Sequence, residues 1–292
     1  MDVSIIFVNY KTINLLANSI ASVLTETKDI SYEIIVVDNA SGDDSRALLF
    51  EKFNNKVKYV SLPDNIGFGR ANNEGIKIAN GRNVFLLNPD TLLLNNAVKI
   101  LSDYLDDNSE IGVVGANLYN EDKSFQPSFS HNYPSLGFEV SNLFHALFLF
   151  NRENVNSTKN PKIVKSVVGA AMMIKQSVID KTGAFDPRFF MYAEEEEWCL
   201  RIRKSGHKIA NVPEASILHL DGKSFDFSAD RQKRRLEGVR TLYRISYSPF
   251  YCRILRVVEY LTIISRLAVS KILRNHAKID FWSFMYDNRK WE

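Results

Sequence analysis

From residue 3 to about residue 111 the chain alternates short apolar runs with stretches of helical period, the pattern of βα units feeding a largely parallel sheet. Residues 3–8, 33–38, 57–61 and 84–87 predict strands, residues 13–24, 45–53 and 71–80 the helices between them, and residues 97–105 a helix after the fourth strand. Three of the strands run into polar residues: Val8 into Asn9, Val37 into Asp38, and Leu87 into Asn88-Pro89-Asp90. Ligands of open α/β sheets bind beyond the carboxyl ends of strands, so these residues are expected to converge on one crevice.

The second half is less regular. Residues 120–165 are rich in Asn, Ser, Pro and Phe and predict long loops around one short apolar helix at 136–150. Residues 165–175 predict a strand, 185–192 a loop, 194–205 a helix, and 209–220 one or two strands interrupted at Pro213. From about Asp230 the pattern is helical and basic.

The helix at 194–205 opens on four consecutive glutamates, Glu194 to Glu197. Acids favour a helix N-terminus by roughly 0.3–1 kcal/mol each. On that electrostatic reading each acid should meet a cation one turn on, and Glu197 does, at Arg201. Glu194, Glu195 and Glu196 look instead to Trp198, Cys199 and Leu200, which suit a pocket wall. A carboxylate that accepts a proton is the alternative.

Composition narrows the picture. The 292 residues are 45% hydrophobic and 24% charged, ordinary for a soluble globular chain of one large or two small domains. Cys199 and Cys252 make no spacing pattern, so free thiols and a reducing compartment are expected. The N-terminus enters a strand at once without a basic leader, which argues for the cytoplasm. The net charge of +3 hides an asymmetry: residues 231–292 hold 14 Lys/Arg against 5 Asp/Glu, so the tail is basic and the body mildly acidic.

No Gly-x-Gly-x-x-Gly follows the first strand and no Walker lysine is present. Gly67-Phe68-Gly69 after the third strand is read as a tight turn or a nucleotide-lining one. Asn88-Pro89-Asp90 either holds a hard cation through a carboxylate oxygen or forms an Asx turn before Thr91. His219, before Asp221-Gly222-Lys223-Ser224, is either structural or a ligand.

Order and spacing join these signals. Asp38-Asn39, Asn65-x-Gly67-Phe68-Gly69-x-Ala71-Asn72-Asn73, Asn88-Pro89-Asp90, Gly169-Ala170-Ala171-Met172, Phe185-Asp186-x-x-Phe189-Phe190-Met191-Tyr192, the acidic run and His219 form one series. Over roughly residues 3–225 it resembles the inverting glycosyltransferases of family 2, especially the bacterial rhamnosyltransferase-like branch.

The resemblance implies an α/β GT-A fold, Rossmann-like with a mostly parallel central sheet, as a catalytic domain over 1–225, followed by a basic helical extension over 226–292. It implies a hexosyltransferase in surface polysaccharide synthesis. Asp38 would contact the base of a nucleoside diphosphate sugar, with Asn9, Asn65 and Gly67 lining the nucleotide pocket. Asn88 stands where many members carry the first acid of Asp-x-Asp, which leaves Asp90 the single acidic ligand for Mg²⁺ or Mn²⁺, with His219 as a further contact and modest metal affinity. Glu195 stands where the branch carries its aspartate base, with Glu194 the neighbour that would replace it if the register slips by one. Gly169, Ala170, Tyr192 and Trp198 fall on the acceptor side, and the aromatic ones are read either as a sugar platform or as core.

The expected donor is dTDP-rhamnose, with a UDP-hexose or galactofuranose donor as alternatives, and the acceptor a glycan or lipid-linked oligosaccharide. Glu for Asp and Asn88 keep a second class open, a carbohydrate-binding or scaffolding module without turnover. A nucleotidyltransferase would need a basic glycine-rich loop where this chain has Asn9-Tyr10-Lys11-Thr12.

Residues 251–273 are apolar but carry Arg253, Arg256, Glu259, Arg266 and Lys271, too many charges to span a bilayer. A basic amphipathic helix on an anionic membrane surface, at the inner face of the plasma membrane, is one reading, with Phe281, Trp282, Phe284 and Trp291 as interfacial residue types. Packing against the catalytic domain or against a second subunit in a homodimer is the other. The cations interleave with large aliphatics rather than forming a polar stripe, which speaks against nucleic acid.

Overall fold

The computed structural model describes residues 1–132, 134–148, 154–220 and 229–290. The twelve strands in these residues are β1 (Val3–Asn9), β2 (Tyr32–Asp38), β3 (Val57–Ser61), β4 (Asn83–Leu87), β5 (Thr91–Leu93), β6 (Ile111–Tyr119), β7 (Phe125–Gln126), β8 (Phe129–Ser130), β9 (Lys162–Val164), β10 (Ser166–Val167), β11 (Ala171–Lys175) and β12 (Lys208–His219). The helices are α1 (Ile13–Glu26), α2 (Ser45–Phe53), α3 (Phe68–Lys77), α4 (Ala97–Asp107), α5 (Leu136–Phe148), α6 (Gln176–Thr182), α7 (Glu194–Lys204), α8 (Ala229–Ser246), α9 (Pro249–Ile272) and α10 (His276–Asp287).

The chain divides into two units, one of residues Met1–His131 and Asn154–Asp226, the other of Asn132–Glu153 and Phe227–Glu292. In the first, the main sheet runs β3-β2-β1-β4-β11-β6-β12-β5. Strands β3, β2, β1 and β4 are parallel. β11 is antiparallel to both β4 and β6, and β12 returns parallel to β6. The four expected βα strands form that parallel block, and the GT-A architecture is the observed one.

Period-two alternation explains why helices cover both faces. Ile5 and Phe7 of β1 point into one core with Leu16 and Ile20 of α1 and Leu101 of α4. Ile6 and Val8 point into the other, with Ala71 of α3, Val178 of α6, and Trp198 and Ile202 of α7. Each fully buried aliphatic side chain stabilises the fold by roughly 1.5–3 kcal/mol. From Ile5 to Val8 both faces of β1 are therefore apolar, and the strand runs out into the polar Asn9.

Several elements differ from expectation. β6 is nine residues long and buried but was not foreseen, because Gly112 and Gly115 interrupt its apolar run. Gly115 is needed there: a Cβ would meet the Val167 side chain at 2.7 Å. The strand expected over 165–175 is two strands, β10 and β11, broken around Val168–Ala170. The 209–220 region is one strand whose register with β6 shifts between Val212 and Ser216, where Pro213 has no N–H for the ladder. The loops expected over 120–165 contain β7, β8 and β9.

The second unit holds α5, α8, α9 and α10. Residues 132–153 belong with it rather than with the 1–225 region: Tyr251 Oη accepts from Leu136 N at 2.9 Å, Tyr243 Oη donates to Glu139 at 2.5 Å, and Arg266 donates to the Asn142 carbonyl at 3.0 Å. Ser248 caps α9, with Pro249 at its first position. Cys252, Leu255, Val258 and Ile263 give α9 its buried face, and Glu259 pairs with Arg240 at 3.3 Å. A cavity of about 370 Å³ inside this unit is lined by Glu139, Arg240, Arg266 and Trp282, among others. Phe281, Trp282 and Phe284 are half-buried, and Trp282 lies under the Arg266 guanidinium at 5.1 Å. Trp291 and the 221–224 segment lie outside the described residues.

Candidate active site

The parallel strands deliver their polar ends in register. Asn9 pairs across from Asp38, and both close the last rung of β1 and β2. Asn9 Nδ2 donates to Asp38 Oδ1 at 2.8 Å and faces the Ser41 and Ser45 hydroxyls at 3.0 Å, while its Oδ1 accepts from Thr12. Ser41 donates to Asp38 through its hydroxyl and through its backbone N–H at 3.2 Å. Asn9 is 0% exposed and uses both amide atoms internally, so its role is to hold Asp38; a direct wall of the nucleotide pocket, as expected from sequence, is corrected. Burial and the Asp38 carboxylate push the neighbouring Tyr59 hydroxyl upward.

The turn after β3 is tied to this end and to the loop that precedes α7. Asn39 donates to Asn65 Oδ1 at 2.9 Å and accepts from Ile66 N at 2.9 Å, and Asn65 Oδ1 also accepts from Gly67 N at 3.0 Å. Gly67 has φ +90°, and a Cβ there would overlap the Phe190 carbonyl oxygen. That same carbonyl accepts from Phe68 N at 2.9 Å. Asn73 of α3 clamps the other end of the loop, exchanging two hydrogen bonds with the Phe185 backbone at 2.8 and 3.0 Å. Asn39 and Asn73 stand in the motif series without a role read for either, and Ser41 is outside it, since an Asn or Ser beside a turn carries no signal of its long-range partner.

Asn88-Pro89-Asp90 sits beyond β4. Asn88 N donates to the Ala170 carbonyl at 3.0 Å, and Thr91 Oγ1 donates back to the Asn88 carbonyl at 2.7 Å, an arrangement that fixes the turn. Asn88 Oδ1 is buried and accepts no hydrogen bond within the described residues. Asp90 is buried, and its Oδ1 lies 3.5 Å from His219 Nε2. Gln126 sets the tautomer: its Nε2 faces two acceptors, Asn120 Oδ1 at 3.0 Å and the His219 carbonyl at 3.4 Å, so its Oε1 receives His219 Nδ1–H at 2.7 Å. His219 Nε2 is thereby aimed at the Asp90 carboxylate across a gap too long for a strong direct hydrogen bond. One oxygen and one nitrogen converging in this way fit two ligands of a divalent cation. Among the described residues no group of three His, Cys, Asp or Glu could hold an ion. Gln126 is a residue that sequence reasoning missed, because it lies in a stretch read as loop.

At the start of α7 the four glutamates separate by environment. Glu197 is buried and takes the Arg201 guanidinium at 2.8 and 2.9 Å, and Arg201 also donates to the carbonyls of Thr182 and Ala184. This pair is structural, as its spacing predicts. Glu194 is 2% exposed and its Oε2 has no hydrogen bond within the described residues. Burial, and after it the negative charge of Glu195, hold its carboxyl well above the usual carboxylate range. Glu195 is half-buried and lies against Gly169: a Cβ there would sit 3.9 Å from Glu195 Cδ and 3.7 Å from the Phe68 ring. Gly169 precedes Ala170, which bonds Asn88, so Glu195, Gly169, Ala170 and the Asn88 turn form one contact chain. Ala170 takes part through its carbonyl, its side chain being in the core.

Two residues before the helix are unusual. Tyr192 and Ala193 both have left-handed backbones, φ +73° and +68°. Such positions cost non-glycine residues of order 1–3 kcal/mol each and cluster at functional sites. Tyr192 is half-buried at the loop's end. Trp198 is 0% exposed, donates Nε1–H to the Gly183 carbonyl at 2.7 Å and packs on Phe185 at 4.5 Å. It is core, and its expected acceptor role is corrected. Cys199 beside it is also fully buried, its thiol pushed up to about 12, chiefly by burial, and both cysteines are free.

Comparison with known proteins agrees with this geometry. The family described as Glycosyl transferase family 2 matches residues 4–183, which include every strand-end residue from Asn9 to Ala170 but stop before α7 and His219. A low-salt glycan biosynthesis hexosyltransferase of Haloferax volcanii is 26% identical over 75% of this chain and 67% of its own length. An N-acetylglucosaminyl-diphospho-decaprenol L-rhamnosyltransferase of Mycobacterium tuberculosis is 24% identical over 64% of this chain and 66% of its own. The rhamnosyltransferase WbbL of Escherichia coli is 26% identical over 70% and 79%. The chain thus spans about two thirds of the length of the first two. With the match covering well over half its residues and the strand ends arranged as described, the chain belongs to glycosyl transferase family 2.

Proposed function

We propose that this glycosyltransferase moves a hexose from a nucleoside diphosphate sugar to an acceptor hydroxyl with inversion, using Glu195 as the base. The acceptor oxygen bonds to the anomeric carbon while the bond from that carbon to the diphosphate oxygen breaks on the opposite face. The hydroxyl proton goes to the Glu195 carboxylate, and the bonding pair leaves with the nucleoside diphosphate. Asp90 and His219 would hold Mg²⁺ or Mn²⁺, which when bound supplies positive charge to the departing diphosphate. Gln126 keeps His219 Nε2 available, Asn9 and Ser41 keep Asp38 in place for the nucleotide base, and Asn65 and Gly67 shape the adjoining turn. Burial of Glu194 beside Glu195 raises its carboxyl pKa, which disfavours a second full charge next to the base.

One observation carries the assignment of the base. Of the four glutamates, Glu195 combines partial exposure with a place in the contact chain through Gly169 and Ala170 to Asn88. The names of the relatives favour an L-rhamnosyl donor, by expectation dTDP-rhamnose, and a lipid-linked or glycan acceptor. UDP-linked hexose and galactofuranose are the competing donors.

Glu195→Gln, assayed for transfer and for nucleoside diphosphate binding, tests the base. Turnover should fall by about 10²–10⁴-fold with binding retained; near wild-type turnover would reject Glu195. A thermal-shift panel of nucleotide sugars with Mn²⁺ tests the donor, and stabilisation by a UDP-hexose but not by dTDP-rhamnose would overturn the rhamnosyl reading.

A further inference from the structure

α9 is amphipathic twice over. One face is buried in its own unit through Cys252, Leu255, Val258, Thr262, Ile263 and Ser270. The opposite face is exposed, yet it too is apolar. Phe250, Val257, Leu261, Ile264, Ala268 and Ile272 follow one another at spacings of three, four or seven, the repeat of a single helical stripe. Phe250 is 71% and Ile272 79% exposed. Of the fifteen large hydrophobics exposed among the described residues, eight lie between 250 and 273, so the concentration is local rather than a general feature of the surface.

Charge says what kind of surface covers the stripe. Arg253 and Lys271 are eighteen residues apart, five full turns, and so lie on one line beside the stripe, with Arg256 one turn from Arg253 on the same flank. All three are exposed. The single acid of α9, Glu259, is turned inward to Arg240. A continuous apolar stripe edged by cations of one sign matches an anionic bilayer surface, where aliphatic side chains enter the acyl boundary and cations meet headgroup phosphates. Two copies packed antiparallel on this face would bring cationic flank against cationic flank. No helix among the described residues is long and apolar enough to cross a membrane, so the contact would lie along the surface.

We propose that the exposed face of α9 docks this chain on an anionic membrane surface. On this proposal one face of α9 packs within its own unit and the opposite face meets lipid. This surface would place the enzyme where a lipid-linked acceptor resides, but the docking itself does not depend on the transfer reaction.

The test is co-sedimentation of the full chain with phosphatidylcholine vesicles with and without phosphatidylglycerol. Pelleting with the anionic vesicles, weakened by salt, is expected. Val257→Ser combined with Leu261→Gln and Ile264→Gln should weaken vesicle binding by about tenfold or more, as should Arg253→Gln combined with Arg256→Gln and Lys271→Gln. These side chains are exposed, so circular dichroism and the elution volume should be unchanged. Equal pelleting with neutral vesicles, or anionic pelleting that neither triple variant weakens, would overturn the proposal. So would no pelleting, including the case of a concentration-dependent dimer abolished by Leu261→Gln. Each outcome is read without sugar transfer and so is distinct from failure of Glu195 as base.

Discussion

The carboxyl ends of β1 and β2 and the first turn of α7 both present polar residues to one site, but they are built in opposite ways. At the first, Asn9 and Asp38 are buried and bonded to each other and to Ser41, Ser45 and Thr12. At the second, Glu194 is buried with a carboxyl oxygen that has no hydrogen bond within the described residues, and two left-handed residues precede the helix. A completed network fixes one geometry before any ligand arrives; an incomplete, strained one is held by the rest of the fold and lowers stability where chemistry is expected. The difference implies that substitutions at the first end should destabilise and that some at the second should stabilise.

The largest effect should come from the turn that links them. Gly67→Ala must accommodate both φ +90° and an overlap with the Phe190 carbonyl, and should cost at least about 3 kcal/mol in urea unfolding; a loss under about 1 kcal/mol would mean the turn can move freely. Next, Asn9→Ala removes donors from a buried carboxylate and should cost about 2–4 kcal/mol, with weaker nucleotide binding; unchanged stability would end the view of this end as a bonded hub.

Smaller and opposite in sign is Glu194→Gln. Because the folded carboxyl sits above its unfolded value, its penalty is absent below about pH 4, where both states are protonated, and grows as pH rises toward the folded value. The variant should therefore match wild type in acid and exceed it in stability near neutral pH. A gap that is constant with pH would show that the charge is not the cause. Smallest is Ala193→Gly, which relieves the left-handed strain at a cost in chain entropy and should raise stability by at most about 1 kcal/mol; a drop in Tm would place the strain elsewhere.

The fold's parallel half was legible because β1, β2 and β4 are continuous apolar runs ending in polar residues, the consequence of burial on both faces. β6 was not, because Gly112 and Gly115 satisfy a packing demand that sequence pattern does not record. Antiparallel insertion of β11 between β4 and β6 likewise leaves no local trace. Within the site, the Glu197–Arg201 pair was readable from spacing. Trp198 was misread because an aromatic beside a carboxylate looks the same in sequence whether it faces ligand or core, and Gln126 was missed because its partner His219 lies far along the chain.

Cys199 gives the start of α7 a built-in clock. Its thiol is fully buried and held near 12 by its surroundings, so alkylation must wait for the helix to lift away, after which the reagent meets an ordinary thiol. The labelling rate, resolved from that of Cys252 by mass spectrometry, then reports how often the acidic turn detaches, and a donor that tightens the site would slow this rate without any assay of sugar transfer.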